Sequence, residues 1–281
     1  MSMFHVEKMK TDDFPFAVQL ANTMNWNMTE DDFKFMMDLE PQGCFVQFHG
    51  NERVGIATTI SFEKAGWFGN FIVKDDARGK GAGTLLLKHA LNYLESKHAE
   101  TIGLYAYPQI VKFYQRFGFE PDINFLVLKG KAAIRAAQET LREAEKGDIA
   151  EIIDLDGKCF GANRKKLIEQ ILVNRRNFCF VSTEKNKIVG YVAAKVYDEM
   201  AEVGPLICHA NRQEAAVLLL KTILSRLNGL DVFIYVPKKE KILLAKLGKM
   251  GFKEDFRIVR MFMGPLPAKN CIYAAESLER G

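Results

Sequence analysis

The chain repeats itself, and the repeat limits its fold more than any single motif does. The stretch CFVQFHGNERVGIA from Cys44 aligns with CFVSTEKNKIVGYVA from Cys179. Cys44 pairs with Cys179, Val46 with Val181, Val54 with Val189, Gly55 with Gly190 and Asp13 with Asp148, all 135 residues apart. Further on, LLLK at Leu85–Lys88 pairs with LLLK at Leu218–Lys221, and Gly118-Phe119 with Gly251-Phe252, now 133 apart. Two residues are therefore missing from the second copy, between a strand and a helix. A period this long means duplicated domains rather than a solenoid. With 281 residues, 48% of them hydrophobic, the chain can bury two cores.

Each copy reads the same way. A strand and an amphipathic helix come first (FAVQLANTM; IAEIIDLDGKCF), then a second helix (TEDDFKFMMDLE; RKKLIEQILVNR). A β-hairpin follows, turning at HGNE in one copy and TEKNK in the other. Next come a strand (NFIV; GPLIC), a helix with Leu85, Leu86, Ala90, Leu91 and Leu94 at helical spacing, and a strand (TIGLYAY; DVFIYV). A short helix ending in Gly-Phe and a last strand (NFLVLKG; RIVRMFMG) complete the unit. The predicted fold is a mixed α/β unit (α+β) with a largely antiparallel sheet flanked by helices, used twice in tandem. The expected boundaries are 1–130 for the first domain, 131–138 for a linker and 139–281 for the second domain.

Composition narrows the function classes. A net charge of +4 gives little reason to expect nucleic acid or a lipid surface as partner. Cys44, Cys159, Cys179, Cys208 and Cys271 are odd in number and lack CxxC spacing, so they read as reduced, mostly buried thiols. The N-terminal MSMFHVEKMKTDDF has no signal-peptide core, and no apolar run reaches spanning length. A cytoplasmic protein without a metal is expected; His5, His49, His89 and His98 show no ligand-like clustering.

One stretch carries chemistry. KDDARGKGAGTLLLKHAL, from Lys74, places three glycines, Arg78 and Lys80 directly before an amphipathic helix. A helix N-terminus presents unpaired N–H groups and a positive dipole end, which attract anions. Glycines let backbone approach phosphate oxygens and permit positive φ. Arginine adds a bidentate grip. The spacing is neither that of a P-loop nor that of the dinucleotide fingerprint. Standing alone, such a stretch reads equally well as a plain surface turn.

The order strand, R-G-x-G-x-G, helix, strand and then FYQRFGF is more specific, and it resembles the GNAT family of N-acetyltransferases. That family's signature is a strand ending in V-x-P, then [QR]-x-x-G-x-[GA], then a helix. Here it reads VKDDARGKGAG, with Asp75 where proline is usual. The resemblance implies that Arg78, Gly79, Lys80, Gly81, Ala82, Gly83 and Thr84 hold the pyrophosphate of acetyl-CoA, the acyl donor. It also implies that Phe71, Ile72 and Val73 pair their backbone with the pantetheine arm like an added strand. LYAYPQIVKFYQRFGF matches the family's later motif, and NWNMTEDDF is similar to the region before the second helix in a tandem-GNAT subset.

Acetyl transfer to an amine needs particular groups. A lysine-like amine is neutral in only roughly one molecule per few thousand at pH 7, so a base or a desolvating pocket helps. The developing oxyanion calls for a donor such as a backbone N–H of the 71–73 strand. By resemblance, Tyr114 is the acid that protonates the departing thiolate; otherwise it packs beside Phe113 and Phe117. Glu63, before Trp67, is the candidate base, against the reading of a solvated glutamate.

The second copy differs at these points. Gly79, Gly81 and Gly83 correspond to Arg212, Glu214 and Ala216, and Tyr114 to Leu247. A glutamate near a helix N-terminus stabilises the helix but repels pyrophosphate. The second domain is therefore expected to keep the fold without the catalysis. Met24, Met28, Met36 and Met37 with Trp26 are read as core in preference to an adaptable acceptor pocket. The expected function is acetyl-CoA-dependent transfer to a primary amine by direct attack in a ternary complex. The alternative is a non-catalytic acyl-CoA-binding sensor or regulator. Expected partners are a small-molecule or peptide amine and, as a homodimer, a second copy of the chain.

Overall fold

The computed structural model describes residues 4–132, 141–210, 212–266 and 271–281. Two compact units emerge: residues 1–104 with Arg280, and residues 105–279 with Gly281.

The first unit opens with β1 (Phe4–Lys8), α1 (Phe14–Asn22) and α2 (Glu30–Leu39). Thr29 and Asp32 form a capping box that starts α2. The sheet continues through β2 (Cys44–His49), β3 (Glu52–Phe62) and β4 (Ala65–Val73). Gly50 supplies a positive φ at the first position of the β2–β3 turn. Then α3 (Ala82–Ser96) leads into β5 (Thr101–Ala106), within which the unit boundary falls. Strand order is β1-β2-β3-β4-β5, antiparallel except for parallel β4–β5. The leucines expected on one helical face divide: Leu86, Leu91 and Leu94 are buried with Leu87 and Ala90, whereas Leu85 is 38% exposed.

The second unit holds α4 (Val111–Gln115), β6 (Glu120–Lys131), α5 (Ile149–Phe160), α6 (Lys165–Val173) and β7 (Phe178–Glu184). It continues with β8 (Lys187–Val196), β9 (Met200–Cys208), α7 (Gln213–Arg226) and β10 (Asp231–Pro237). It ends with α8 (Lys241–Lys249), β11 (Lys253–Met263) and β12 (Ile272–Ala274). Lys185 and Asn186 both take positive φ in the two-residue β7–β8 turn, so this hairpin is closed by a type I′ turn. Strand order is β11-β6-β10-β9-β8-β7, with β12 on β9; β9–β10 is parallel and the other pairs are antiparallel. The result is a mixed α/β fold with a largely antiparallel sheet.

β6 closes the first sequence repeat, yet it lies between β10 and β11 of the second. Sequence-repeat boundary and compact-unit boundary therefore differ. Lys131, the start of the expected linker, is still in β6, and from residue 133 to 138 that linker lies outside the described residues. Corrections also arise elsewhere. Among the described residues between β6 and α5 there is no strand; Glu143 makes an isolated bridge to Phe180. Of the methionine group only Met36 is core: Met24 is 37% exposed, and Met28, Met37 and Trp26 are half-buried. Met24 and Met28 fall beyond the end of α1, where helical spacing no longer applies.

Candidate active site

The glycine stretch forms a bend into α3. Gly79 and Gly81 have φ of 72° and 91°, the left-handed region that penalises a side chain. A Cβ at either would meet nothing within 4 Å, so both face open space. Gly81 is the N-cap of α3; no side chain caps the helix and its first turn holds no carboxylate. The helix thus presents its positive end to that space. Ala82 is buried, Gly83 and Thr84 are half-buried, and Lys80 is exposed.

Arg78 is held close to the strand it follows. Its Nε donates to the Val73 carbonyl at 3.0 Å, and Nη1 lies 2.5 Å from the Asp75 carboxylate. Asp75, in the place where proline is usual, therefore has a definite contact: it orients the arginine.

β4 combines a short ladder to β5 with a bulge. Its pairing with β5 runs from Ala65↔Thr101 to Trp67↔Gly103 and stops. Beyond Trp67, β4 continues for six residues to Val73. Phe71, Ile72 and Val73 lie on this segment. A bulge interrupts the other side, where Ile56 faces Ile72 and Thr58 faces Gly69, so Asn70 and Phe71 together oppose Ala57. Asn70 has a φ of 46°, is 6% exposed, and its Nδ2 has no hydrogen-bond partner among the described residues. Asparagine is depleted in strands and tolerates left-handed φ, so Gly69-Asn70 was the available signal for this bulge.

Gln47 also escaped the sequence reading. It is fully buried in β2 and donates from Nε2 to the Ala82 carbonyl at 2.8 Å, fastening the first turn of α3 to the sheet.

Tyr114, in α4 of the second unit, is 3% exposed and sits edge-on to Phe113 and Phe119 at 5.3 and 5.9 Å. Burial pushes its phenol well above the usual tyrosine range. Glu63 is exposed in the β3–β4 turn with a φ of 61°. From Ala65 to Phe71 the strand climbs about 20 Å at about 3.3 Å per residue, so the turn and the bulge stand at opposite ends of β4. No group of three or more His, Cys, Asp or Glu among the described residues could hold a metal. No helix among them is long and apolar enough to cross a membrane.

Residues 40–121 and 152–274 each match a model described as an acetyltransferase (GNAT) domain. The chain is 24% identical over 275 residues to the holothin acyltransferase of a Pseudoalteromonas strain, covering 96% of this chain and 92% of that protein. A Pyrococcus horikoshii protein assigned as an acetyltransferase superposes with a TM-score of 0.83 at 21% identity, covering 100% and 97% of the two chains. A tandem GNAT protein of the clavulanic acid biosynthesis pathway superposes with a TM-score of 0.65 at 12% identity, covering 94% and 100%. With both halves matched by the same domain type, the chain belongs to the GNAT family of N-acetyltransferases as a tandem, two-domain member.

Proposed function

We propose that the chain transfers the acetyl group of acetyl-CoA to a primary amine, using the first repeat (1–130) alone as its donor site. The observation carrying this is the coincidence, within one unit, of a glycine-lined helix N-terminus without a side-chain cap and a bulged β4 strand leading to it. Amides at Gly79–Thr84 and the Arg78 and Lys80 charges would receive the pyrophosphate. The β4 edge from Phe68 to Val73 would pair with the amide-bearing pantetheine arm.

The residues then divide the work. The bulge turns backbone N–H groups out of the ladder, where they can stabilise the oxyanion as the amine nitrogen attacks the thioester carbonyl. On the family resemblance, Tyr114 is assigned as the acid that gives its proton to the sulfur as the C–S bond breaks and recovers one from the acetylated nitrogen. The raised phenol pKa keeps that proton in place throughout the neutral range. An amine arriving as ammonium first loses a proton to solvent. The second repeat (139–281) is the non-catalytic partner: Glu214 stands in the first turn of α7 and Leu247 in place of the phenol.

The test is thiol release by the purified full chain with acetyl-CoA and a panel of amines, amino acids and aminoglycosides, alongside calorimetry with coenzyme A. One donor site per chain and release dependent on an amine are expected. Two equivalent sites, or no acetylated product with any amine, would overturn the reading.

A further inference from the structure

In the second repeat, the chain itself covers the counterpart of the β4 segment that lies beyond the β5 ladder. The parallel pairing of β9 with β10 ends at Val203↔Ile234. β8 covers the other side of β9 as far as Gly190↔Cys208, so the free edge beyond Val203 faces β10. There β12 pairs antiparallel with β9, Ile272 opposite Ile207 and Ala274 opposite Leu206. The Cys208 amide donates to the Cys271 carbonyl at 3.1 Å, and the Ala275 amide to the Tyr235 carbonyl at 2.9 Å. The segment is thus bonded to β9 and to β10. It lies so close that a Cβ on Gly204 would overlap the Ala275 carbonyl oxygen.

Two buried charge clusters hold it there. Lys195 makes an ion pair with Glu276 at 2.5 Å, donates to the Glu276 carbonyl at 2.8 Å, and pairs with Glu202 at 3.0 Å. Arg164 grips Asp156 through Nε and Nη2 at 2.9 and 2.7 Å, and its Nη1 donates to the Gly281 carbonyl. Tyr191 adds a hydrogen bond to Asp156 at 2.5 Å. At the repeat offset, Lys195 and Glu202 correspond to Ile60 and Trp67, a cross-strand pair in both copies. Asp156 and Tyr191 correspond to Ala21 and Ile56, and Arg164 to the helix cap Thr29. In the first repeat Ala21, Ile56, Ile60 and Trp67 are buried apolar residues. Burying ion pairs in place of such residues carries a desolvation cost, and fixing one arrangement is their best-attested use.

We propose that residues 271–279 are the permanent internal occupant of the second repeat's acyl-donor groove, anchored by Lys195 and Arg164, so that no acyl-CoA can enter it. The inference rests on the reading that the matching β4 segment in the first repeat receives the pantetheine arm. The occupant supplies from the chain's own backbone the hydrogen bonds a pantetheine amide would make.

Hydrogen exchange on the full chain, with and without saturating coenzyme A, tests this. Peptides covering 271–279 should exchange as slowly as β9 and be unchanged by coenzyme A, while the β4 peptide at 68–73 gains protection. Exchange of 271–279 at the rate of exposed loops, or its release by coenzyme A, would overturn the proposal. A silent β4 peptide would instead sink the reading of the first repeat and leave the tail result standing. Lys195→Met should speed exchange of 271–279 at least tenfold with β7–β8 unaffected; unchanged exchange would refute the anchor. In the full chain carrying Arg212→Gly and Glu214→Gly, calorimetry should still give one coenzyme A per chain, because the groove remains filled. Two would refute the proposal, and none would refute the donor site itself.

Discussion

Gln47 Nε2 and the Ala82 carbonyl, 2.8 Å apart, join the interior of the sheet to the first turn of α3. The same side chain keeps Oε1 without a hydrogen-bond partner among the described residues. Gln47→Leu therefore removes one hydrogen bond, about 1 kcal/mol net, and also a buried orphan acceptor, so thermal stability should change little. Coenzyme A affinity should weaken several-fold because the turn that would meet the pyrophosphate is no longer fixed. Calorimetry beside a melting curve separates the two; unchanged affinity would show that the turn is held by other contacts.

Gly81 tests the glycine bend. Its φ of 91° makes any L side chain strained, at about 1–2 kcal/mol for Gly81→Ala. Gly81→Glu adds a charge facing the expected phosphates, worth about 1–4 kcal/mol of repulsion at about 4 Å. The alanine variant should weaken coenzyme A binding modestly. The glutamate variant should weaken it at least tenfold more. Equal effects would mean that no anion sits there.

Tyr114→Phe separates chemistry from binding. Loss of a general acid should lower kcat by about 100-fold or more with the donor KM nearly unchanged. Burial raises the phenol pKa, so Tyr114 stays protonated from acid pH up through pH 9 and does not titrate there. Wild type and variant should share the shape of their pH profiles between pH 6 and 9 and differ in height. An alkaline limb lost on substitution would identify Tyr114 as a titrating group and contradict the burial argument.

The thiols give a pH test independent of activity. All five cysteines are free and buried. Burial pushes the Cys44 and Cys208 thiols up to about 12, from an ordinary 9.0. At pH 8, below both values, the thiolate fraction falls from about one in ten to about one in ten thousand. Iodoacetamide at pH 8 should leave Cys44 and Cys208 unlabelled in the native chain and label them in denaturant. Rapid native labelling read by peptide mass would contradict their burial.

The duplication, the α/β alternation within each copy and the glycine-rich entry to α3 were all legible in the residues alone. These are local or self-referential signals: periodicity, turn residues, and one stretch compared with another of the same chain. Gly79 and Gly81 could be read because only positive φ explains glycine at such points. Tertiary structure decided which strand edges meet. β6 reads as the end of the first copy, yet its partners are β10 and β11; β12 lies 64 residues beyond the end of β9 and still takes its edge. Strand alternation is the same whichever neighbour a strand chooses, so partner choice depends on edges left open elsewhere in the fold. Asn70 and Gln47 behave alike: neither residue type signals a site, and each acquires its role from a bulge and from a helix end brought to it by the sheet.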